Sequence, residues 1–179
     1  MRFAGFALFG PLARAALVSM GLALALASAQ AADESELKAA IVFNVLVFVE
    51  WPEELKTIDL CVATDNPLLP ALRQLDGREL GNHKTFKVHE IKADAPPTGC
   101  RAAFVDAADR TRRAPLVKGL SELGVFMLSD DPEAPPRNTA VVMQRVGTRI
   151  ALDVNLPAVR QAKVQVSSKL LRLARAVRE

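Results

Sequence analysis

The sequence predicts an α/β domain with a mostly parallel sheet and a C-terminal antiparallel hairpin, and three observations point there. Beyond Pro52, short apolar runs rich in branched residues alternate with helical stretches, the order that gives parallel strands with helices on the sheet faces. Two late runs, Val141 to Arg145 and Arg149 to Val154, flank Val146-Gly147-Thr148, a turn with the glycine that a hairpin wants. Ahead of both lies one apolar segment, Leu37 to Pro52, with the character of a buried helix.

That first segment, LKAAIVFNVLVFVEWP, is polar only at Lys38, Asn44 and Glu50 before its closing Trp-Pro. At about 100° per residue the three fall on three different sides of a helix. A surface helix would gather them on one face, so this one is expected to be enclosed. The apolar runs Ala39 to Phe43 and Val45 to Val49 are far short of the roughly 20 residues of a membrane span, which leaves protein as the surroundings and Pro52 as the end of the helix.

Strands are expected at Asp59 to Ala63, Thr85 to Ile91, Ala102 to Asp106 and Val125 to Leu128. Helices are expected at Pro67 to Leu75, where an Asp65-Asn66 cap precedes Pro67, and at Arg112 to Leu123. A last helix is expected from Gln165 to Val177, with Leu170, Leu171, Ala174 and Val177 in helical spacing. The segment Asp130 to Asn138, DDPEAPPRN, is the chief irregular stretch. No internal repeat is visible, and no linker is long enough to divide domains.

Residues 1–31 have a different character. Arg2 and Arg14 precede an apolar run from Ala16 to Ala27, which leads into Ser28-Ala29-Gln30-Ala31. A positive start, a short apolar middle and small residues at an A-x-A site make a secretory signal peptide. An uncleaved anchor is the alternative, though the run is short for a span. Residues 32–179 then form one domain's worth of chain. The formal net charge of +3 includes Arg2 and Arg14, so the exported part is nearly neutral, which is no footprint for nucleic acid.

An exported protein with two cysteines should pair them. Cys61 lies in the first expected strand and Cys100 just before the third, so neighbouring strands could bring them together. In the loop-entropy view such a bond stabilises the fold by roughly 4 kcal/mol.

Catalytic apparatus is hard to find. Asp65, Asp106, Asp130 and Asp131 stand at strand ends, the edge where open parallel sheets bind ligands, and clustered carboxylates there could hold Mg²⁺. The simpler account makes Asp65, Asp109 and Asp131 helix caps and turn formers, two of them just ahead of Pro67 and Pro132. The first strand-to-helix turn, Thr64-Asp65-Asn66-Pro67, has no glycine and carries an acid that would repel phosphate. Gly77 and Gly81 have no helix following in register. His83 and His89 are accompanied by no zinc motif, and Ser129, Ser167 and Ser168 lack a nucleophile elbow. No catalytic residue, metal or cofactor is therefore expected. Lys169, Arg172, Arg175 and Arg178 make the last helix basic, read as a solvated face rather than a lipid anchor. Trp51, the lone tryptophan, is read as a core plug.

The Ala-Ala pair, Phe43-Asn44 and Phe-Val-Glu-Trp-Pro at Phe48 to Pro52 resemble the opening signature of the YfiR-like family. Val166-Ser167-Ser168-Lys169-Leu170-Leu171-Arg172-Leu173-Ala174 is similar to that family's C-terminal motif, and Leu60-Cys61-Val62, Gly99-Cys100 and Leu152-Asp153-Val154-Asn155 also resemble it. Arg137-Asn138-Thr139 departs from it, standing where many members have a Gly-Gly pair. The resemblance implies a Rossmann-like three-layer, non-enzymatic periplasmic domain with the Cys61–Cys100 pair. It further implies a repressor that binds the periplasmic sensor region of an inner-membrane diguanylate cyclase, lowering cyclic di-GMP and biofilm formation. An OmpA-like outer-membrane lipoprotein is the expected sequestering partner, and a homodimer is a further candidate assembly. The alternative is a periplasmic small-molecule binding domain feeding a sensor kinase. Within the chain, Asp153, Asn155, Pro157 and Val159 are candidate partner-binding residues; the competing account packs Val154, Leu156 and Val159 into the core.

Overall fold

The structure is a computed structural model that describes residues 34–52, 54–81, 83–92, 98–134 and 138–179. The expected signal peptide, Arg137 and part of the Asp130 to Asn138 loop lie outside them. The chain opens with helix α1 (34–47) and continues through β1 (Val49–Glu50), β2 (Thr57–Ala63), α2 (Leu69–Arg73), β3 (Thr85–Ile91) and β4 (Ala102–Val105). Then come α3 (Ala107–Arg112), α4 (Ala114–Glu122), β5 (Phe126–Ser129), β6 (Val141–Val146) and β7 (Arg149–Asn155). The last elements are α5 (Leu156–Gln161), β8 (Gln165–Val166), α6 (Ser168–Leu173) and β9 (Ala176–Arg178).

Among the described residues the main sheet has seven strands in the order β3-β2-β4-β5-β6-β7-β9. Strands β3, β2, β4, β5 and β6 run parallel, β6 and β7 form the antiparallel hairpin, and β9 lies parallel to β7. Every residue of β4 and β5 is buried, as expected of central strands covered on both faces. Side chains alternate between two cores. Leu60, Val62, Phe104, Phe126 and Leu128 join the larger one with α1, whereas Cys61, Ala103, Val105 and Met127 meet Leu116 and Leu120 of α4 in the smaller. Phe86, Phe104 and Phe126 are essentially fully buried, each a contribution of about 1.5–3 kcal/mol, so the α1 side carries most of the apolar stabilisation. The layers are thus helix, sheet, helix, as the sequence predicts.

Three expectations are corrected. Helix α1 stops at residue 47, and Val49–Glu50 instead pairs antiparallel with Gln165–Val166. Trp51 closes the helix end, donating from Nε1 to Leu46 O at 3.0 Å and meeting the Phe126 ring edge-on at 5.9 Å. Nor is α1 enclosed on all sides: Leu37, Ala40, Asn44 and Val47 are exposed along one stripe. The last helix, expected from Gln165 to Val177, is only the six residues of α6. Ser167 caps it by accepting from Leu170 N, and past Ala174 the chain turns extended and pairs with β7, beginning with Arg175 N on Leu152 O at 2.7 Å. Apolar spacing at 170, 171, 174 and 177 fits a helix, but it fits a short helix followed by a strand equally well.

Two helices went unforeseen, α3 and α5. The first starts at a capping box in which the Asp106 side chain accepts from Asp109 N and the Asp109 side chain accepts from Asp106 N. The disulfide between Cys61 and Cys100 ties β2 to the segment entering β4, with Cα atoms 5.6 Å apart.

Candidate functional site

In this sheet the chain leaves β2 toward β3 on one side and returns to β4 on the other, so the topological switch point lies between β2 and β4. The loops after those strands supply Asp65, Asn66 and Asp106, and the first turn of α3 supplies Asp109, which is where a ligand of an open α/β sheet would sit. Here the protein's own side chains occupy the place. Arg113 reaches back from the start of α4 to pair with both Asp65 and Asp109. The Asn66 amide donates to Asp106 at 3.2 Å and to Asp109 at 3.4 Å, while Asn66 Oδ1 accepts from Leu68 N at 2.9 Å.

The electrostatics follow from this packing. Burial raises the Asp109 carboxyl above its ordinary value and the Asp106 charge adds to that; the Asp106 amide and Arg113 pull it only part of the way back. Asp65, at the surface, is lowered because Arg113 donates to it. The Arg113 guanidinium is itself raised, chiefly by Asp65.

The other strand-end acids are also engaged. Asp131, 3% exposed, holds Arg110, which also donates to Glu133 at 2.9 Å. Asp130 holds Lys38 of α1 at 2.7 Å. His89 Nε2 lies 2.7 Å from Asp59 Oδ1, and His83 stands at the surface 3.6 Å from Glu79. Among the described residues no group of three His, Cys, Asp or Glu side chains is placed to hold a metal ion. Arg110 and Arg113 were missed from the sequence because neither belongs to a motif; only the fold shows that they neutralise this edge.

Of the four residues expected at a partner surface, Pro157 is exposed, Asp153 is half-buried and the other two lie inside. Val159 and Asn155 are buried, at 3% and 7% exposure, so the core-packing account holds for Val159. Asn155 donates to Thr139 O at 3.4 Å. Asp153 is held by Arg175, and Pro157 is exposed at the start of α5. Val159 lies inside because of the unforeseen α5, whose inward side carries Ala158 and Val159. Asp153 and Asn155 do share a cleft of about 210 Å³ with Thr139, Gln144 and Arg178.

A second region gathers the two ends of the chain. Strand β1, from Phe-Val-Glu-Trp-Pro, pairs with β8, and Ser167 N donates to Phe48 O at 2.9 Å. The C-terminal half of α1 therefore lies beside α6. A groove of about 410 Å³ runs between them, with Ile41, Phe48, Leu152 and Leu173 among its walls.

Fold and edge together define a three-layer α/β domain whose switch point is filled by its own hydrogen-bonded and ion-paired side chains. A family model described as DUF4154, YfiR/HmsC-like, matches residues 35–175, and the chain belongs to that family. The family is periplasmic, regulatory and non-catalytic, and membership supports a periplasmic regulator of cyclic di-GMP signalling at that level. No helix among the described residues is long and apolar enough to cross a membrane. A crystal structure of a conserved domain protein from Vibrio cholerae O1 biovar eltor is similar at a TM-score of 0.50 and 10% identity. The likeness covers 80% of this chain and 60% of that one, and it shows the fold alone.

Proposed function

We propose that this protein is a periplasmic repressor that binds the periplasmic sensor region of an inner-membrane diguanylate cyclase and holds the enzyme inactive, lowering cyclic di-GMP and biofilm formation. The observation that carries the reading is the family match over 35–175, which takes in both end motifs that the fold sets side by side. The closed switch point supports a role exercised through contact with another protein rather than through chemistry on a nucleotide. In this reading residues 1–31 leave as a signal peptide, 32–179 act as one domain, and an OmpA-like outer-membrane lipoprotein sequesters the repressor.

The sensory alternative draws on the cleft at Asp153 and Asn155. At about 210 Å³ it is smaller than the roughly 300–1,000 Å³ of most small-molecule sites, whereas the groove beside α1, at about 410 Å³, falls within that range. The test is calorimetry of the exported protein with the purified periplasmic region of the cyclase. Saturable binding is expected, and none at 100 µM protein would overturn the reading.

A further inference from the structure

The uncovered stripe of α1 is apolar but for Asn44 and regularly spaced. Leu37, Ala40, Asn44 and Val47 stand three, four and three residues apart, the a and d positions of two heptads, within an arc of about 80°. Leu37 is 51% exposed and Val47 38%, and beside them across the groove Leu173 of α6 is 65% exposed. Half of the large apolar side chains exposed among the described residues are thus gathered on one face. Such a concentration marks an interaction surface.

We propose that this face receives one amphipathic α-helix of another polypeptide, laid along α1 with its apolar seam on Leu37 to Val47 and acidic residues on the side facing α6. Two features choose this occupant. The α6 side carries Lys169 and Arg172, both exposed and, among the described residues, neither in an ion pair with a carboxylate, so a helix with acidic flanks is complementary to it. The face is also small. A helix of this length spans about 21 Å and two heptads, whereas a self-standing coiled coil needs three or four and a stable dimer buries about 800 Å² per partner. A second copy of this chain would be held weakly there, while a partner that must be released suits such an area. Asn44, at an a position, sets the register. The identity of the partner rests on the repressor reading; the geometry of the face does not.

The test uses the full chain, exported and purified from the periplasm. The probes are two synthetic helices of three heptads with Leu at a and d, one with Glu and one with Lys at e and g, and vesicles of phosphatidylglycerol. The Glu helix should bind the wild type, and the Leu37→Asp/Val47→Asp variant, with an unchanged melt, should bind it about tenfold more weakly. Lys169→Glu with Arg172→Glu should move the preference to the Lys helix. Equal binding by wild type and the Leu37/Val47 variant, an unmoved preference, self-association abolished by that variant, or binding to the vesicles alone would each overturn the proposal. In cells, if gene deletion raises cyclic di-GMP while the Leu37/Val47 variant still represses fully, the face is wrong and repression stands. If deletion changes nothing while the Glu helix still binds, repression is wrong and the face stands.

Discussion

Asp109 shows what a single buried acid does at the switch point. It is 1% exposed, caps α3 from within the box with Asp106, and is the anchor for Arg113. Its carboxyl is raised in the folded protein, so the native state holds the proton more tightly than the unfolded chain. The resulting contribution is fully present below the ordinary Asp value of about 3.9 and is lost as pH rises through the folded value. Replacing Asp109 with Asn removes that dependence. Thermal melts of wild type and Asp109→Asn should therefore show any advantage of the wild type shrinking as pH rises above about 4; a growing advantage would contradict the sign. Gly124 is a second single-residue constraint. It sits at φ +67, and a Cβ there would lie 3.0 Å from the Gln161 carbonyl oxygen. Gly124→Ala should cost about 1–3 kcal/mol, read as a lower urea midpoint with an unchanged m-value.

Among the elements, β2 and β4 are the pair on which the sheet turns, and the Cys61–Cys100 bond closes the loop between them. Replacing both cysteines with Ser should lower stability by about 2–4 kcal/mol, and an unchanged urea midpoint would show that strand pairing alone suffices. This pair was legible in the sequence because export and adjacent strands made bonding the default. The β3 strand and the β6–β7 hairpin were legible for a local reason, since alternation and the turn glycine, Gly147 at φ 61, both reside within a few residues. The C-terminal stretch was not, because an apolar pattern common to a helix and to a helix plus strand is decided by pairing with β7, far away in the chain. The a and d spacing of Leu37, Ala40, Asn44 and Val47 was present in the letters, but burial on the opposite side of α1 masked it: apolar residues surround the whole helix, and only the packed structure shows which stripe is left over. Asp109 and Asp131 were legible as cap and turn formers, whereas Asp65, expected to cap α2, is held by Arg113 instead and α2 has no side-chain cap; the arginine partners needed the fold.

At the scale of the whole molecule, the structure has strand ends whose acids are held in ion pairs and a mostly apolar face on α1 beside α6. In the repressor reading such a domain acts by being bound and released, and cyclic di-GMP is where that action would be read. The direct measurement is cyclic di-GMP in four strains: parent, gene deletion, cyclase deletion and the double deletion. The account predicts a rise of several-fold on deleting this gene that vanishes when the cyclase is also removed, with re-expression of the full chain restoring the parental level. An unchanged level in the single deletion with the cyclase intact, or a rise that persists without the cyclase, would contradict repression through that enzyme.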